Sequence, residues 1–365
     1  MGQFMRFSVR PLLNAAAIIF LTLASAEIVA RLDDYLRQGV RLNASPDPER
    51  DLQIIDARGR HGTPHGAYKR WRLNRWGFNA PELSLIPASG VDRVMVLSAS
   101  EAFGLFESPG KEFPAQLDTL LRQHGDYEVV NASVTGMTVG AMNGYWRNWV
   151  GRFRPAIVIV YASPLFYLSD IPPDVGSKAN YRLFLPPPKF QSRFVGRLRD
   201  LVDVPQFAQD WLDQRAIAAQ IANKPVDWLF ESPPLDRLDL FESHVRMLCE
   251  QIVAAGGRVV LCTHAVDALP PFSPAELRQF ESGRVHLPRA TAATHAQFHV
   301  AGNQRLRQFA ARSGYSLADI DAALSGQARY FADLAHFTDQ GAERVAQLLD
   351  QSLSSLSKQL PSARP

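Results

Sequence analysis

Ala156-Ile157-Val158-Ile159-Val160-Tyr161 is an unbroken run of large, mostly β-branched apolar side chains. A strand with one wet face alternates apolar and polar residues, whereas a strand covered on both faces reads as a continuous run. The stretch therefore predicts an inner strand of a sheet sandwiched between helices. Working outward, Arg93 to Leu97 and Arg258 to Thr263 read as further buried strands, and Tyr127 to Asn131 and Tyr315 to Leu317 as shorter ones. Helical patterns separate them, over Glu112 to His124, Val139 to Phe153, Leu238 to Ala255, His295 to Ser313 and Gln340 to Leu356. Gly256-Gly257 stops the third of these. Strands alternating with helices predict an α/β fold, a three-layer α/β/α sandwich around a parallel sheet with right-handed crossovers. Ligands in such sheets bind beyond the carboxyl ends of the strands. Ser100, Gly136, Ser163 and His264 all fall just past predicted strands.

The remaining segments set the domain organisation. Arg6 and Arg10 precede an apolar run from Leu12 to Ala26. A positive flank followed by an apolar run predicts that the rest of the chain lies outside the cytoplasm. Two readings stand. Ala24-Ser25-Ala26 fits the small-x-small rule of a cleaved secretory signal; alternatively the helix runs on through Glu27 to Leu32 as an uncleaved anchor. The expected layout is a signal or anchor over 1–32, a linker and N-terminal arm over 33–90, an α/β domain over 91–357 and a tail over 358–365. Two insertions interrupt the domain, at about 165–237, rich in proline and aromatic residues, and at about 266–294. Long insertions at the active edge serve as lids or substrate walls, or else cover the sheet.

The chain has 365 residues, 46% hydrophobic and 21% charged, with a net charge of +3. That balance is ordinary for a globular protein, and it lacks the basic stripe that a nucleic-acid partner requires. The two cysteines, Cys249 and Cys262, are expected as free thiols facing the core, with a disulfide as the open alternative. His295 and His299 have the i, i+4 spacing of a zinc pair, but Gln297 lies between them and a third ligand is not evident, so they predict solvated or capping histidines and no metal. His264 reads as a satisfied core histidine near the cleft, and Trp146 and Trp149 as core residues. Asn131-Ala132-Ser133 has the form of a glycosylation sequon at a buried strand end, which argues against its use.

Chemistry enters near the end of the chain, at Asp333-Leu334-Ala335-His336-Phe337-Thr338. An aspartate three residues before a histidine, on a loop that feeds a helix, lets the carboxylate fold back onto the imidazole. That contact fixes the tautomer and leaves the other ring nitrogen as a base. The base needs a nucleophile, and Ser100 offers one, just past Val94-Met95-Val96-Leu97.

These residues resemble the SGNH/GDSL hydrolase family, in particular its membrane-anchored bacterial branch linked to envelope polysaccharides. Leu97-Ser98-Ala99-Ser100-Glu101-Ala102-Phe103-Gly104 is similar to the first block of that family. Val130-Asn131-Ala132-Ser133-Val134-Thr135-Gly136 is similar to the second, Arg154-Pro155 to the approach to the third and Asp333-Leu334-Ala335-His336 to the fifth. Asn74-Arg75-Trp76-Gly77-Phe78 resembles an Asn-x-x-Gly-Phe motif found ahead of the domain in this branch, and Glu27 and Arg31 resemble its uncleaved anchors, which favours the anchor reading.

The resemblance implies a flavodoxin-like hydrolase fold, with Ser100 as nucleophile, His336 as general base and acid, and Asp333 as its orienting partner. The amides of Ser100 and Gly136 would form the oxyanion hole. Two departures stand out. Ser98-Ala99 replaces the family's Gly-Asp, and Pro164, which has no N–H, stands near the place of an expected asparagine, so Ser163 would have to supply a hydroxyl instead. The expectation is a cofactor-free serine esterase or O-acyltransferase acting on an acylated carbohydrate outside the cytoplasm. It would be held in the bacterial inner membrane by its N-terminal helix beside membrane-embedded polysaccharide biosynthesis partners. The alternative is a catalytically silent scaffold of the same fold that binds glycan or serves in a polysaccharide synthesis or export complex.

Overall fold

The computed structural model describes residues 10–38, 42–43, 51–56, 58–169, 192–201, 206–222, 224–285 and 287–358. Within the first insertion, Pro172-Pro173 and Pro186-Pro187-Pro188 lie outside the described residues, as do residues 359–365.

Five strands form the central parallel sheet: β1 (Asp92–Leu97), β2 (Tyr127–Asn131), β3 (Ile157–Tyr161), β4 (Arg258–Cys262) and β5 (Ser316–Ala318). Their spatial order is β2-β1-β3-β4-β5. This is the doubly wound, flavodoxin-like order, whose ligand crevice lies at the switch point between β1 and β3. The continuous apolar runs follow from burial on both faces. Met95, Leu97, Val158, Val160 and Leu261 point into one core, with Tyr145, Trp149, Leu248 and Phe309. Val94, Val96, Ile159, Tyr161 and Cys262 point into the other, with Phe113, Leu117, Val345 and Leu349.

The helices divide accordingly. An N-terminal helix, α1 (Arg10–Gln38), precedes the sheet, and α2 (Phe113–Leu121) covers the second face. The first face takes α3 (Val139–Tyr145), α4 (Leu235–Ala254) and α5 (Ala292–Ser313), and the closing helix α6 (Asp339–Lys358) returns to the second. The fold class is therefore the one the apolar runs predict. One helix differs: after Tyr145 the backbone widens into a π-turn over Trp146–Val150, tightens to a 3₁₀ turn over Gly151–Phe153 and ends at Arg154. Pro155 disfavours helix at the preceding residue, and Arg154 leaves the helix in the left-handed region at φ 49°. Trp146 and Trp149 are buried, as expected.

Residues 51–56 and 58–90 are tied to the rest of the chain by contacts such as Asn79 Nδ2 to the Phe103 carbonyl at 2.9 Å and Trp149 Nε1 to the Trp76 carbonyl at 3.0 Å. Two small hairpins, Gln53–Asp56 with Gly59–Gly62 and Ala67–Tyr68 with Trp71–Arg72, lead into the Asn74 motif. The Asn74 carboxamide oxygen accepts from the amides of Trp76 (2.9 Å) and Phe78 (3.1 Å), and its nitrogen donates to the Pro81 carbonyl at 2.9 Å. Gly77 sits in this loop at φ 81°, with its backbone pressed against Gly62. Parts of the two expected insertions are hydrogen-bonded to one another. Phe230 N–H donates to the Arg289 carbonyl at 2.7 Å, and Gln220 Nε2 donates to the Val285 carbonyl at 3.1 Å. α1 is long and apolar enough to cross a membrane, with mean hydropathy 1.9 over its best window and only 6% of that window buried.

A Cβ on Gly77 would need a conformation L-residues avoid and would run into the Gly62 carbonyl. Gly77→Ala is expected to cost at least about 3 kcal/mol, lowering Tm by roughly 5–10 °C. Gly144, in α3, has nothing within 4 Å of its Cβ position. Gly144→Ala is expected to leave Tm unchanged or raise it slightly. Thermal melts of the two variants check the pair, and equal Tm values would contradict it.

Candidate active site

β1 ends at Leu97, and the chain turns directly into a single helical turn, Ser100–Phe103, that starts at the serine. The turn is held from the neighbouring strand: Asn131, at the end of β2, is buried and donates from Nδ2 to the Ala102 carbonyl at 2.6 Å. The loop after the Ala328–Tyr330 turn carries Asp333 and His336. One Asp333 carboxylate oxygen accepts from the amides of Ala335 (3.0 Å) and His336 (2.9 Å), folding the loop on itself. Asp267 N–H, from the second insertion, donates to the Leu334 carbonyl at 3.0 Å and braces the same loop.

His336 Nδ1 lies 2.8 and 2.7 Å from the two Asp333 carboxylate oxygens. His336 Nε2 lies 2.9 Å from Ser100 Oγ. Asp333 accepts only, so Nδ1 carries hydrogen and Nε2 of the neutral ring is left as acceptor for the serine hydroxyl. Burial works against a charge on His336, but the Asp333 hydrogen bond and the negative charges of Asp333, Glu101 and Glu107 outweigh it and raise its pKa above the ordinary 6.5. For Asp333, burial alone would raise the pKa; the His336 imidazole and the two loop amides bring it below the usual carboxylate value. The exposed Phe106 ring covers one side of the imidazole, with centroids 5.3 Å apart.

The other expected residues stand apart from this contact. Among the described residues, no hydrogen bond joins Gly136 or Ser163 to Ser100 or His336. Gly136 takes φ 67° and abuts Arg60, whose buried guanidinium donates to the Thr135 carbonyl at 2.7 Å. Ser163 is buried, and its hydroxyl accepts from the Leu165 amide at 3.3 Å. Pro164 packs tightly against Gly302 of α5 and opens the 3₁₀ turn Leu165–Leu168.

Behind Ser100 lies a buried polar cluster. Glu101 Oε1 lies 3.0 Å from His264 Nε2, and both side chains are at most 5% exposed. Burial opposes a charge on Glu101, but the His264 hydrogen bond and the charges of His264 and His336 lower its pKa. Asn303 brackets the His264 backbone, accepting from its amide at 2.9 Å and donating to its carbonyl at 2.8 Å, and His299 Nε2 donates to the same carbonyl at 2.7 Å. His295 and His299 depart from the expectation of solvated or capping histidines. Both are buried on the inner face of α5, where loss of hydration holds their pKa values down at about 4. Cys249 and Cys262 are buried free thiols. Glu101 follows Ser100 in sequence, but its partner is 163 residues away, so only the fold brings the pair together.

No protein-family model matches the chain, and no curated protein matches it. Among solved structures it is similar to a lipase/acylhydrolase from Enterococcus faecalis, at 12% identity and TM-score 0.43, over 75% of this chain and 100% of that one. It is similar to an acetylxylan esterase from Geobacillus stearothermophilus, at 13% identity and TM-score 0.42, over 72% and 94%. A GDSL-like lipase from Bacteroides thetaiotaomicron aligns at 12% identity and TM-score 0.40, over 73% and 89%.

Glu107 follows Phe106 and is also buried. One carboxylate oxygen accepts from the Phe106 amide at 3.1 Å, and burial pushes the acid up to about 7 from 4.5. A carboxyl raised in the folded state leaves the protein most stable below the unfolded value and costs stability as pH climbs through the folded one. Replacing it with a neutral amide removes that loss. The stability of Glu107→Gln relative to the parent is expected to rise by about 2–3 kcal/mol between pH 4 and pH 8. Urea unfolding at the two pH values measures it; a difference that does not change with pH would contradict the buried-acid account.

Proposed function

We propose that the protein is a serine-dependent esterase or O-acyltransferase of SGNH type, acting on an acyl ester of a polysaccharide or glycoconjugate outside the cytoplasm. The observation that carries this reading is the 2.9 Å contact between Ser100 Oγ and a His336 ring whose other nitrogen is held by Asp333. A serine hydroxyl is a poor nucleophile until a base takes its proton as it attacks. In the proposed reaction His336 Nε2 takes the Ser100 proton while Oγ bonds to the acyl carbon. The imidazolium then gives that proton to the departing sugar oxygen. Water or an acceptor hydroxyl, deprotonated by the same nitrogen, bonds to the acyl carbon and releases it from Ser100, whose Oγ takes that proton back from His336, so hydrolysis and transfer share one acyl-enzyme. The Ser100 amide at the start of its helical turn, together with the Gly136 amide, is proposed to face the oxyanion. The sugar is proposed as the carrier because the motifs resemble the envelope-polysaccharide branch. Membrane-embedded polysaccharide biosynthesis partners belong to the same proposal.

A second reading is favoured by Ala99 and Pro164. Pro164 brings no donor and is locked against Gly302, and a missing oxyanion donor typically costs about 100- to 1,000-fold in turnover. On that reading the domain binds glycan without turnover.

Turnover of p-nitrophenyl acetate separates the two. Ser100→Ala is expected to lower kcat/KM by at least about 1,000-fold and Asp333→Asn by roughly 100- to 10,000-fold. Undiminished turnover in Ser100→Ala would remove the serine from the mechanism. The neutral imidazole is the working base, so kcat/KM should rise with pH through the raised His336 pKa. Glu101→Gln removes one negative charge that favours the imidazolium, so its acid limb is expected at lower pH than in the parent. An unmoved limb would rule out Glu101 as a determinant of the base.

A further inference from the structure

The outer end of α1 is tied to a second helix by a set of ionic contacts that the proposed ester chemistry does not use. The second helix is Arg193–Leu201. Its first amides have no partner within the helix, and the Glu27 carboxylate of α1 supplies one: it accepts from Arg193 N–H at 3.1 Å, Phe194 N–H at 3.0 Å and Ser192 Oγ at 2.7 Å. Arg31 donates to the same carboxylate at 2.7 Å. One helical turn on, Arg193 pairs with Asp34, and Arg197 donates to Asp34 at 2.6 Å and to Asp33 at 2.7 Å. Asp34 and Arg193 are both under 10% exposed. Buried charge pairs add little net stability, but their geometry selects one arrangement over others.

This arrangement turns the second helix inside out. Arg193 and Arg197, at i and i+4, face α1. Val195 and Leu198 lie on the opposite side and are 58% and 48% exposed. A helix packed on a soluble domain would bury its apolar side chains and expose its arginines. The height of the contact explains the inversion. From Arg10 to Ala30, α1 rises about 30 Å, the thickness of the hydrocarbon layer. The Glu27–Asp34 cluster therefore sits where the helix leaves that layer. The apolar phase within reach there is the lipid at the bilayer boundary, and Ile28, Val29 and Leu32 of α1 are exposed at the same level.

We propose that Arg193–Leu201 lies along the outer surface of the bilayer that α1 crosses, its Val195–Leu198 face in the lipid interface and its arginine face clamped to Glu27, Asp33 and Asp34. The inference rests on reading α1 as a membrane span and is independent of the esterase proposal. With both native cysteines buried, a single surface cysteine can carry a bimane fluorophore in the full-length protein, reconstituted in phosphatidylcholine and phosphatidylglycerol vesicles. Three sites are compared: Leu198→Cys, Phe20→Cys within the span, and Leu277→Cys on the exposed Pro274–Gly283 helix. Nitroxide lipids labelled near the headgroup or deep in the chain, and aqueous iodide, serve as quenchers.

The expected result is that Leu198→Cys is quenched several-fold more by the shallow nitroxide than by the deep one, and several-fold less by iodide than Leu277→Cys. Adding Glu27→Ala should abolish the lipid quenching at position 198. If position 198 matches position 277 while Phe20→Cys is quenched by the deep nitroxide, the surface proposal falls and the span stands. If Phe20→Cys is not quenched by lipid either, the span reading falls with it. Protection of position 198 from both lipid and iodide would mean a protein cover, which also overturns the proposal. Lipid quenching that survives Glu27→Ala would overturn the clamp.

Discussion

A hydrogen bond of 2.9 Å joins two side chains 236 residues apart, the Ser100 hydroxyl and the His336 imidazole. The proposed chemistry needs both residues. The parallel sheet brings them together because such a sheet sends all its carboxyl ends to one edge, and β1 stands beside the switch point of the strand order. Ser100 leaves that edge at the end of β1, and the last loop before α6 returns to it with His336. The Asp333 carboxylate then removes the remaining freedom, binding the ring nitrogen and two amides of its own loop.

The surroundings act on this contact through charge and through packing. Asp333, Glu101 and Glu107 all favour the imidazolium, and the loss of hydration opposes them. An imidazole so placed is a stronger base than a free one and holds a proton more firmly once it has taken it. Packing contributes as well. Leu334, between Asp333 and His336, is packed against Ala268, Phe280 and Ala292. The stretch around Asp267 and Ala268 thus helps to hold His336 in line.

Much of this was legible in the chain. Both-face burial leaves a continuous apolar run, and the three inner strands of the sheet could be found from such runs to within a residue or so. The Asp333–His336 spacing encodes a local contact, and the structure contains that contact. What could not be read depends on distance in sequence. Glu101 looks like an ordinary helical glutamate until His264 arrives beside it, and Arg60, in a stretch that reads as a polar linker, turns out to be buried beneath Gly136. His295 and His299 carry no mark in the sequence that separates a buried helix face from a wet one. The helix expected over Val139 to Phe153 runs to its expected end, but its second half is a π-turn and a 3₁₀ turn, which periodicity alone does not signal.

The central claim is that Ser100 is activated by His336. A fluorophosphonate probe reports this directly, since it bonds to a serine oxygen only when a base removes the proton. The account predicts that peptide mass spectrometry of the labelled protein finds the probe on Ser100, and that His336→Ala loses the adduct while keeping its fold by circular dichroism. An unlabelled Ser100 in the folded parent, or labelling undiminished in His336→Ala, would contradict it.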